Sequence, residues 1–175
     1  MPLNKLSLRI FLIGFMGAGK SHVGKELAHC LQSPFIDLDE AIESVAGIPI
    51  YDYFEQKGEA AFRALENTVL QAQLATSEHY VMACGGGTPC FFDNMSLMKT
   101  MGKVIWLNPP QAVLTDRLIR EKEKRPLLRS LDPTAIPAYI NETLKARTAF
   151  YAQAHFVIKD ENPAIQTILN WIEHG

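Results

Sequence analysis

The stretch RIFLIGFMGAGKSHVGKELA, residues 9–28, shows three local patterns in succession. Arg9 to Ile13 is a short apolar run, which predicts a buried strand. Gly14 to Gly19 contains three glycines, which predict a tight loop. From Lys20 onward, helix-forming residues include apolar side chains at helical spacing. The stretch therefore predicts a strand, a loop and a helix, in that order.

The loop also predicts a phosphate-binding site. Its sequence GFMGAGKS, residues 14–21, matches the pattern GxxxxGKS, in which glycines let backbone N–H groups surround phosphate oxygens. The start of the following helix carries a partial positive charge that attracts an anion. Lys20 can reach the β- and γ-phosphates, and the Ser21 hydroxyl can join a magnesium shell. We therefore predict a P-loop that binds ATP and Mg²⁺, rather than a plain glycine-rich turn.

Length and composition narrow the class of protein. The 175 residues suit a single domain, residues 1–175, with one substantial core. A formal net charge of -2 and the lack of a basic block predict no nucleic-acid partner. No apolar stretch reaches the roughly 20 residues that cross a bilayer, so we expect no membrane partner. The three cysteines lack CxxC spacing, which argues against a zinc site and favours reduced thiols in the cytoplasm.

Short apolar runs recur along the chain, separated by helical stretches. They predict strands at Arg9–Ile13, Phe35–Asp37, Tyr80–Cys84, Lys103–Leu107 and Phe156–Ile158. This alternation predicts an α/β fold with a mostly parallel sheet, and ligands at the carboxyl ends of the strands. Near the C-terminus, Asn162 and Pro163 are expected to begin the last helix as N-cap and first residue. Its apolar stripe, Ile165, Ile168, Leu169 and Ile172, is expected to face the core.

Two aspartates follow the second predicted strand, in the sequence DLD. In an extended chain Asp37 and Asp39 point to the same side, and Leu38 points to the other. One carboxylate can then hold magnesium through water, while the other orients or deprotonates a hydroxyl during phosphoryl transfer. The alternative is that Asp39 simply caps a helix over residues 40–46. With a P-loop in the same chain, we favour the functional interpretation.

Two later segments contain further candidates for ligand binding. In GEAAFRALE, Arg63 and Glu66 lie three residues apart on one helical face, as a binding pair or as solvated neighbours. In CGGGTP, Gly85 to Gly87 follow the third predicted strand and expose backbone N–H groups. Three successive glycines at a strand end are typical of a close approach between chain and ligand.

The run REKEKRPLL, residues 120–128, predicts a mobile lid over about 120–133. Pro126 disfavours helix at Arg125, so this arginine is expected on a mobile segment rather than on a solvated helix end. An arginine delivered this way stabilises charge on the transferring phosphoryl group, while closure excludes water. Arg147, in LKARTAFY, taken alone fits either a functional arginine or a solvated helix residue.

Taken in order, GFMGAGKS, DLD, FR in AAFRALE, GGG, RPLL and the Arg147 segment resemble shikimate kinase across nearly the whole chain. The resemblance implies a three-layer P-loop kinase fold, with a five-stranded parallel sheet in the order 2-3-1-4-5, helices on both faces and a mobile lid. It implies ATP-dependent phosphorylation of the shikimate 3-hydroxyl, a step toward chorismate and the aromatic amino acids. It further implies a cytoplasmic monomer whose partner is the small molecule shikimate.

The resemblance also implies a role for each matching residue. Lys20 and Arg125 would act on the transferring phosphoryl group, and Asp39 would bind acceptor hydroxyls and act as the base. Ser21 and Asp37 would hold magnesium, Asp37 through water. The residues expected to bind ATP are Gly17, Ala18, Gly19, Lys20, Ser21, His22, Arg117, Asn162 and Pro163. Those expected to bind shikimate are Asp39, Arg63, Gly85, Gly86, Gly87 and Arg147, and several belong to a substrate-binding segment over about 39–66.

Within this set, Arg63 and Arg147 would grip the shikimate carboxylate, because guanidinium forks match a planar carboxylate. Glu66 would hold Arg63 in place. The chain departs from the family pattern at two places. Cys84 stands where the family usually has Ser or Thr, so a hydroxyl hydrogen bond near the metal-bound water is expected to be lost or weakened. The spacing from Arg117 to Arg125 is one residue longer than in the family, which leaves Arg117 and Arg120 as alternatives for the adenine contact.

Two other functions share parts of this pattern. A gluconate-type or other small-metabolite kinase on the same fold would have a different acceptor site. The pair Arg63 and Arg147 argues against it, as does the combination of DLD with GGG, but a carboxylated sugar acid stays open as the acceptor. An ATP-binding regulatory module without catalysis would not need Lys20, Asp37, Asp39 and Arg125 together.

Overall fold

Five parallel strands form one sheet in this chain. The structure, a computed structural model, describes residues 8–175 except for the side chains of Lys124, Pro126 and Leu127. The first seven residues of the predicted domain therefore lie outside the described residues. The strands are β1 (Leu8–Ile13), β2 (Phe35–Asp37), β3 (His79–Ala83), β4 (Lys103–Leu107) and β5 (Phe156–Ile158). Their order, β2-β3-β1-β4-β5, confirms the predicted order.

Helices connect the strands and cover both faces of the sheet. Within residues 8–175 they are α1 (Lys20–Cys30), α2 (Leu38–Ala46), α3 (Ile50–Thr76), α4 (Asn94–Met101), α5 (Gln111–Arg120), α6 (Pro126–Arg129), α7 (Ile136–Tyr151) and α8 (Ile165–His174). Helix α3 is broken at Gly58, where φ is 78°. None of the helices in this described part of the chain is long and apolar enough to cross a membrane.

The core has one half on each face of the sheet, because the central strand β1 is buried on both sides. Ile10 and Leu12 pack on one face, with α1, α5 and α8, while Phe11 and Ile13 pack on the other, with α2, α3 and α4. All four of these β1 side chains are fully buried. An apolar run without alternation is what a parallel strand covered on both faces requires. The predicted stripe on α8 also packs in the core, through Ile165, Ile168 and Ile172.

The strand order places three polar segments side by side. β3 lies between β1 and β2 and pairs with both in parallel, with Ala83 opposite Leu12 on one side and opposite Asp37 on the other. The loop after β1, the DLD segment after β2 and the three glycines after β3 therefore begin at the same edge of the sheet. This is the edge at which ligands bind in open parallel sheets.

The beginning of α2 differs from both sequence interpretations. The helix starts at Leu38, and Asp37 is its N-cap, with its Oδ1 accepting a hydrogen bond from the Asp39 N–H at 3.1 Å. The prediction of an extended DLD is therefore wrong after Asp37, and the alternative cap at Asp39 is wrong as well. The earlier aspartate forms the cap because its backbone is still extended and its side chain can satisfy an N–H of the first turn.

The beginning of α8 also differs from the prediction. The helix starts at Ile165 with Ala164 as N-cap, so Asn162 and Pro163 lie in the preceding loop. This loop is held by a tertiary contact, because the Arg117 Nη2 donates to the Glu161 carbonyl at 3.1 Å. By contrast, the effect predicted for Pro126 is confirmed, since Arg125 is extended, with φ −116° and ψ 103°.

The close packing of β1 and β4 generates a stability prediction. Gly102 directly precedes β4 with extended backbone, and a Cβ at this position would lie 2.3 Å from the Arg9 carbonyl oxygen. We expect Gly102→Ala to lower the free energy of unfolding by about 3 kcal/mol, since the neighbouring strands must move apart. Urea denaturation measures this loss. The control is Gly47→Ala, where φ is 73° but no atom lies within 4 Å of the added carbon, so the expected loss is about 1 kcal/mol. Equal losses would contradict the steric explanation.

Candidate active site

Two adjoining cavities open at the carboxyl ends of β1, β2 and β3. The P-loop cavity, about 550 Å³, is lined by the loop after β1 and by parts of α5 and the loop before α8. The arginine cavity, about 580 Å³, is lined by α2, α3, the three glycines and α7, and contains Arg63 and Arg147. The residues that line both cavities are Met16, Asp37, Asp39, Gly85, Gly86 and Arg125. Ligands in the two cavities would therefore meet beside Asp39 and Arg125.

The loop after β1 depends on two glycines. A Cβ at Gly14, where φ is 140°, would lie 2.4 Å from the Leu107 carbonyl oxygen. Gly19 is the N-cap of α1 in a left-handed conformation, with φ 93°. The backbone can then turn directly from the end of β1 into the first turn of α1, so N–H groups of the loop and helix start border the P-loop cavity.

Lys20 lies at the start of α1 and is held against the loop. Its Nζ donates hydrogen bonds to the carbonyl oxygens of Gly14, at 2.8 Å, and Phe15, at 2.9 Å. Burial lowers the pKa of Lys20 to about 8, an effect only partly opposed by the negative charge of Asp39. The ammonium is thus positioned inside the P-loop cavity and poorly solvated there, which favours a phosphate as an additional partner.

Ser21 and Asp37 form a pair of oxygen ligands at the edge of the same cavity. The Ser21 hydroxyl donates to Asp37 Oδ2 at 2.7 Å. Hydroxyl and carboxylate oxygens suit Mg²⁺, which usually keeps several waters and binds phosphate oxygens as well. Across the described residues, no group of three or more His, Cys, Asp or Glu could hold a metal ion by itself. Two such oxygens fit a magnesium ion whose other ligands come from phosphates and water.

Asp39 lies in the first turn of α2, where the two cavities join. Its carboxylate is open to solvent on the cavity side, yet burial of the surrounding site and the charge of Asp37 raise its pKa to about 6, while Lys20 opposes the shift. A carboxyl group with this pKa is ionised at neutral pH and is more basic than an ordinary aspartate. It can therefore accept a proton from a hydroxyl bound beside it.

The three glycines after β3 make room for three polar side chains. A Cβ at Gly85 would lie 3.1 Å from Asp39 Oδ1, and one at Gly86 would lie 2.9 Å from the Arg147 Nη1. A Cβ at Gly87 would lie 2.5 Å from the Arg63 Nη2. Each glycine thus lets one functional side chain pack directly on the backbone. Side chains at these positions would displace the aspartate and the two arginines.

Arg63 is held on α3 by two glutamates. Its Nη1 donates to Glu66 Oε2 at 2.9 Å, and its Nε and Nη2 both donate to Glu59 Oε1 at 3.3 Å. The Arg63 side chain is 11% exposed and that of Glu66 is 1% exposed, so the interpretation of these residues as solvated neighbours is wrong. Separating the two side chains would leave an uncompensated buried charge, which is strongly unfavourable. The ion pair with Glu66 therefore holds Arg63 in place.

The three arginines of α5 and the lid segment differ in their position relative to the two cavities. Arg117 donates to the Gly17 carbonyl at 3.0 Å and to the Glu161 carbonyl at 3.1 Å, and so lines the P-loop cavity. Arg120 is 76% exposed and pairs with Asp116, outside both cavities. Arg125 lines both cavities and is bound by the Glu121 carboxylate at 2.5 Å.

Known proteins that are similar to this chain come from one family. A family model described as shikimate kinase matches residues 16–173. The chain belongs to the shikimate kinase family. A curated shikimate kinase from Bacteroides thetaiotaomicron is 42% identical over 150 residues, which cover 86% of this chain and 85% of the relative. One from Azobacteroides pseudotrichonymphae is 44% identical over 149 residues, which cover 85% of this chain and 88% of the relative.

Solved structures of the family have the same fold. The crystal structure of shikimate kinase from Bacteroides thetaiotaomicron matches with a TM-score of 0.90 at 36% identity, covering 95% of this chain and 98% of that chain. Shikimate kinase from Acinetobacter baumannii in complex with shikimate matches with a TM-score of 0.85 at 34% identity, covering 95% of this chain and 93% of that chain.

In this member of the shikimate kinase family, every residue predicted to bind ATP lines the P-loop cavity. Every residue predicted to bind shikimate lines the arginine cavity. The Cys84 side chain is placed in the core, where its Sγ lies 3.6 Å from the Met98 Sδ. Burial raises the pKa of this thiol well above its ordinary value, so it stays protonated at neutral pH.

Other residues of the site were not predicted from the sequence. Tyr151, fully buried on α7, donates from its hydroxyl to the Gly86 carbonyl at 2.5 Å and packs against Trp106. Its position four residues after Arg147 on one helical face was the available signal. An apolar wall of the arginine cavity lies within the predicted substrate-binding segment over about 39–66, but none of its residues was named there; it is formed by Pro49, Ile50, Tyr51, Phe54 and Phe62. Nothing in the local sequence separates this wall from ordinary core residues.

The raised pKa of Asp39 and the lowered pKa of Lys20 predict that kcat/KM for ATP follows a bell-shaped curve with pH. As pH falls through about 6, Asp39 becomes protonated and can no longer accept a proton. As pH rises through about 8, Lys20 loses its charge. Bound phosphates favour the charged ammonium, so the alkaline limb of kcat should lie at higher pH than that of kcat/KM. Initial rates of ADP release across this range measure both limbs; coincident alkaline limbs would argue against Lys20 as the titrating group.

The placement of the α5 arginines predicts which one supports nucleotide binding. Arg117→Ala removes the link between Gly17 and the Glu161 loop, and we expect the KM for ATP to rise about tenfold, as for loss of a charged hydrogen bond. Arg120→Ala is the matched control and should change this KM by less than about twofold, because an exposed ion pair contributes little. The reverse order of effects would assign the adenine contact to Arg120.

Proposed function

We propose that this protein transfers the γ-phosphoryl group of ATP to the 3-hydroxyl of shikimate, giving shikimate 3-phosphate and ADP. One observation carries the proposal: the arginine cavity, with Arg63 and Arg147, joins the P-loop cavity at Asp39. This arrangement suits an acceptor that has both a carboxylate and a hydroxyl. Family membership supports the same reaction.

On the nucleotide side, the protein binds phosphates through the P-loop backbone and Lys20. The Lys20 ammonium already donates to two carbonyl oxygens, which leaves one N–H for a phosphate oxygen. Ser21 and Asp37 would hold Mg²⁺, Asp37 through water. When bound, this ion neutralises charge on the phosphates. Arg117, Asn162 and Pro163 border the far end of the cavity and would flank adenine.

On the acceptor side, the two arginines bind the carboxylate. Arg63 packs on Gly87 and Arg147 packs on Gly86, so both guanidinium groups are held against the same short segment of backbone. Glu66 balances one of the two positive charges in the buried part of the site, and the substrate carboxylate balances the other. A neutral polyol would leave a guanidinium charge unpaired, which disfavours its binding.

Asp39 would bind the acceptor hydroxyl and accept its proton. Its position where the cavities join lets it orient the hydroxyl toward the γ-phosphate. Arg125 would stabilise charge on the transferring group after leaving Glu121, and closure of the lid over about 120–133 would exclude water. Phosphoryl transfer needs little beyond this positioning and charge stabilisation.

We further propose that the protein works as a cytoplasmic monomer formed by a single domain. Its size supports one domain. Its cysteines, Cys30, Cys84 and Cys90, are free, which fits a reducing compartment.

The test of function is ADP release from ATP and magnesium with shikimate, quinate, gluconate, AMP and no acceptor in parallel. We expect turnover that depends on shikimate. Turnover with gluconate alone would replace the substrate assignment while keeping the phosphate site. ATP binding without turnover on any acceptor would instead favour a nucleotide-dependent regulatory module.

The role of Asp39 gives a further prediction. Asp39→Asn keeps the size of the side chain but removes the proton acceptor, so we expect kcat to fall at least about 100-fold. The dissociation constant for ATP should change by less than about twofold, because the amide removes no phosphate contact. Asp52→Asn, at an exposed aspartate of α3 outside both cavities, is the control. Wild-type kcat in the Asp39 variant would exclude this residue as the base.

A further inference from the structure

The segment TPCFFDN, residues 88–94, follows the three glycines and contacts Arg63 and its partner Glu66. It is not among the residues assigned above to ATP or to shikimate. It connects the glycines with α4, and its Thr88 and Asn94 are buried polar residues. Buried polar side chains are nearly always hydrogen-bonded, so the partners of Thr88 and Asn94 indicate what the segment holds in place.

Phe91 covers the Arg63 guanidinium. The Arg63 Cζ lies 4.2 Å from the centroid of the Phe91 ring, against 5.1 Å for Phe62 and 5.9 Å for Phe54. A guanidinium this close to an aromatic ring is attracted by the ring's quadrupole, more strongly when water is excluded. Phe91 therefore makes the shortest of these contacts and limits the rotation of the arginine head group.

Thr88 fixes the glutamate that pairs with Arg63. The Thr88 hydroxyl donates to Glu66 Oε1 at 2.6 Å, while Glu66 Oε2 accepts from Arg63. The Thr88 carbonyl in turn accepts from the Asn94 Nδ2 at 3.0 Å. Both carboxylate oxygens of Glu66 are thus occupied, and the side chain has one position in which both bonds form.

These contacts leave Arg63 with a particular set of free donors. Of the five guanidinium N–H groups, Nε and Nη2 each use one on Glu59, and Nη1 uses one on Glu66. Within the described residues, one N–H on each terminal nitrogen is left for a ligand. One N–H on each terminal nitrogen gives the number of donors that the two oxygens of a carboxylate can accept.

The backbone of the segment is strained where it places Phe91. Phe92 has φ 50°, in the left-handed region that bulky residues rarely adopt. This conformation separates two adjacent phenylalanines: Phe91 packs on Arg63, and Phe92 is 61% exposed. Strain of this kind persists where the surrounding structure requires it, often beside functional sites.

We propose that Thr88 and Phe91 are positioning residues that hold Arg63 with its two free N–H groups directed at the acceptor carboxylate, and that they thereby set the preference for carboxylate-bearing acceptors. This inference rests on the proposed function. A freely rotating Arg63 could satisfy its donors on hydroxyl groups or water as well. A fixed Arg63 binds strongly only an acceptor whose two oxygens lie in the plane of the guanidinium group.

The test compares shikimate with its neutral methyl ester as acceptors, using purified full-length protein. We expect Phe91→Leu to raise the KM for shikimate about fivefold, as for loss of a cation–π contact, with kcat and the KM for ATP within about twofold of wild type. The ratio of kcat/KM for shikimate over the ester should fall by a similar factor, because the ester gains little from a fixed arginine. Phe92→Leu, at the exposed neighbour, should leave all these values unchanged.

A second pair of variants tests the hydroxyl of Thr88. Thr88→Val leaves Glu66 without one donor and should raise the KM for shikimate about tenfold or more. Thr88→Ser restores the hydroxyl and should return this KM to within about threefold of wild type. Rescue by serine separates the hydrogen bond from a loss of packing.

Several results would overturn the inference. The first is an unchanged KM for shikimate in both Phe91→Leu and Thr88→Val. The second is a fall in kcat/KM that is equally large for shikimate, for the methyl ester and for ATP. The third is the same rise in the KM for shikimate in Phe92→Leu. These outcomes, with normal turnover of shikimate by the wild-type protein, leave the proposed function intact. A wild-type protein that does not turn over shikimate would instead overturn the proposed function, and with it the carboxylate preference inferred here.

Discussion

The parallel pairing of β3 with both β1 and β2 is the constraint on which the site depends. Ala83 stands opposite Leu12 in one pairing and opposite Asp37 in the other, so three strands end at nearly the same level. The segments that follow them supply a phosphate loop, a pair of carboxylates and a glycine segment without side chains. Residues that are far apart along the chain therefore meet in two cavities with a common boundary.

Three cations of the site are held by protein groups. Lys20 is bound by loop carbonyls, Arg63 by Glu66 and Arg125 by Glu121. Holding them in this way reduces the conformational entropy lost when a substrate binds. The partners differ in burial, however, since Glu66 is 1% exposed and Glu121 is 46% exposed. Arg63 is thus a permanent part of its cavity, whereas the more exposed pair of Arg125 and Glu121 is held less firmly.

The glycine segment illustrates how packing and function constrain the same residues. Gly86 and Gly87 lie against Arg147 and Arg63, and the Gly86 carbonyl accepts from Tyr151. Neither glycine has a positive φ, so they are required for space rather than for backbone conformation. Their small size lets guanidinium groups lie on the backbone itself, which brings two positive charges into the arginine cavity.

Local patterns in the sequence were sufficient for much of the fold and for many of the residues that line the two cavities. Apolar runs located the five strands, and the family resemblance supplied their order, which the structure confirms. The pattern GxxxxGKS located the phosphate loop, because it depends on glycine conformation and on neighbours in sequence. Helix starts were less well predicted: Asp37 rather than Asp39 caps α2, and α8 begins after Asn162 and Pro163. Several residues near these positions can cap a helix, and the surrounding contacts select one.

Only the tertiary structure decided which side chains complete the site. Arg117 and Arg120 are alike in sequence, but one bridges Gly17 and Glu161 while the other is solvated. Thr88 and Phe91 gain their importance from contacts with Glu66 and Arg63, more than 20 residues away. The sequence by itself determined the local elements, the P-loop pattern and the types of residue that line the candidate site. The pairing, burial and orientation of those residues arise from packing between distant segments, which no local pattern encodes.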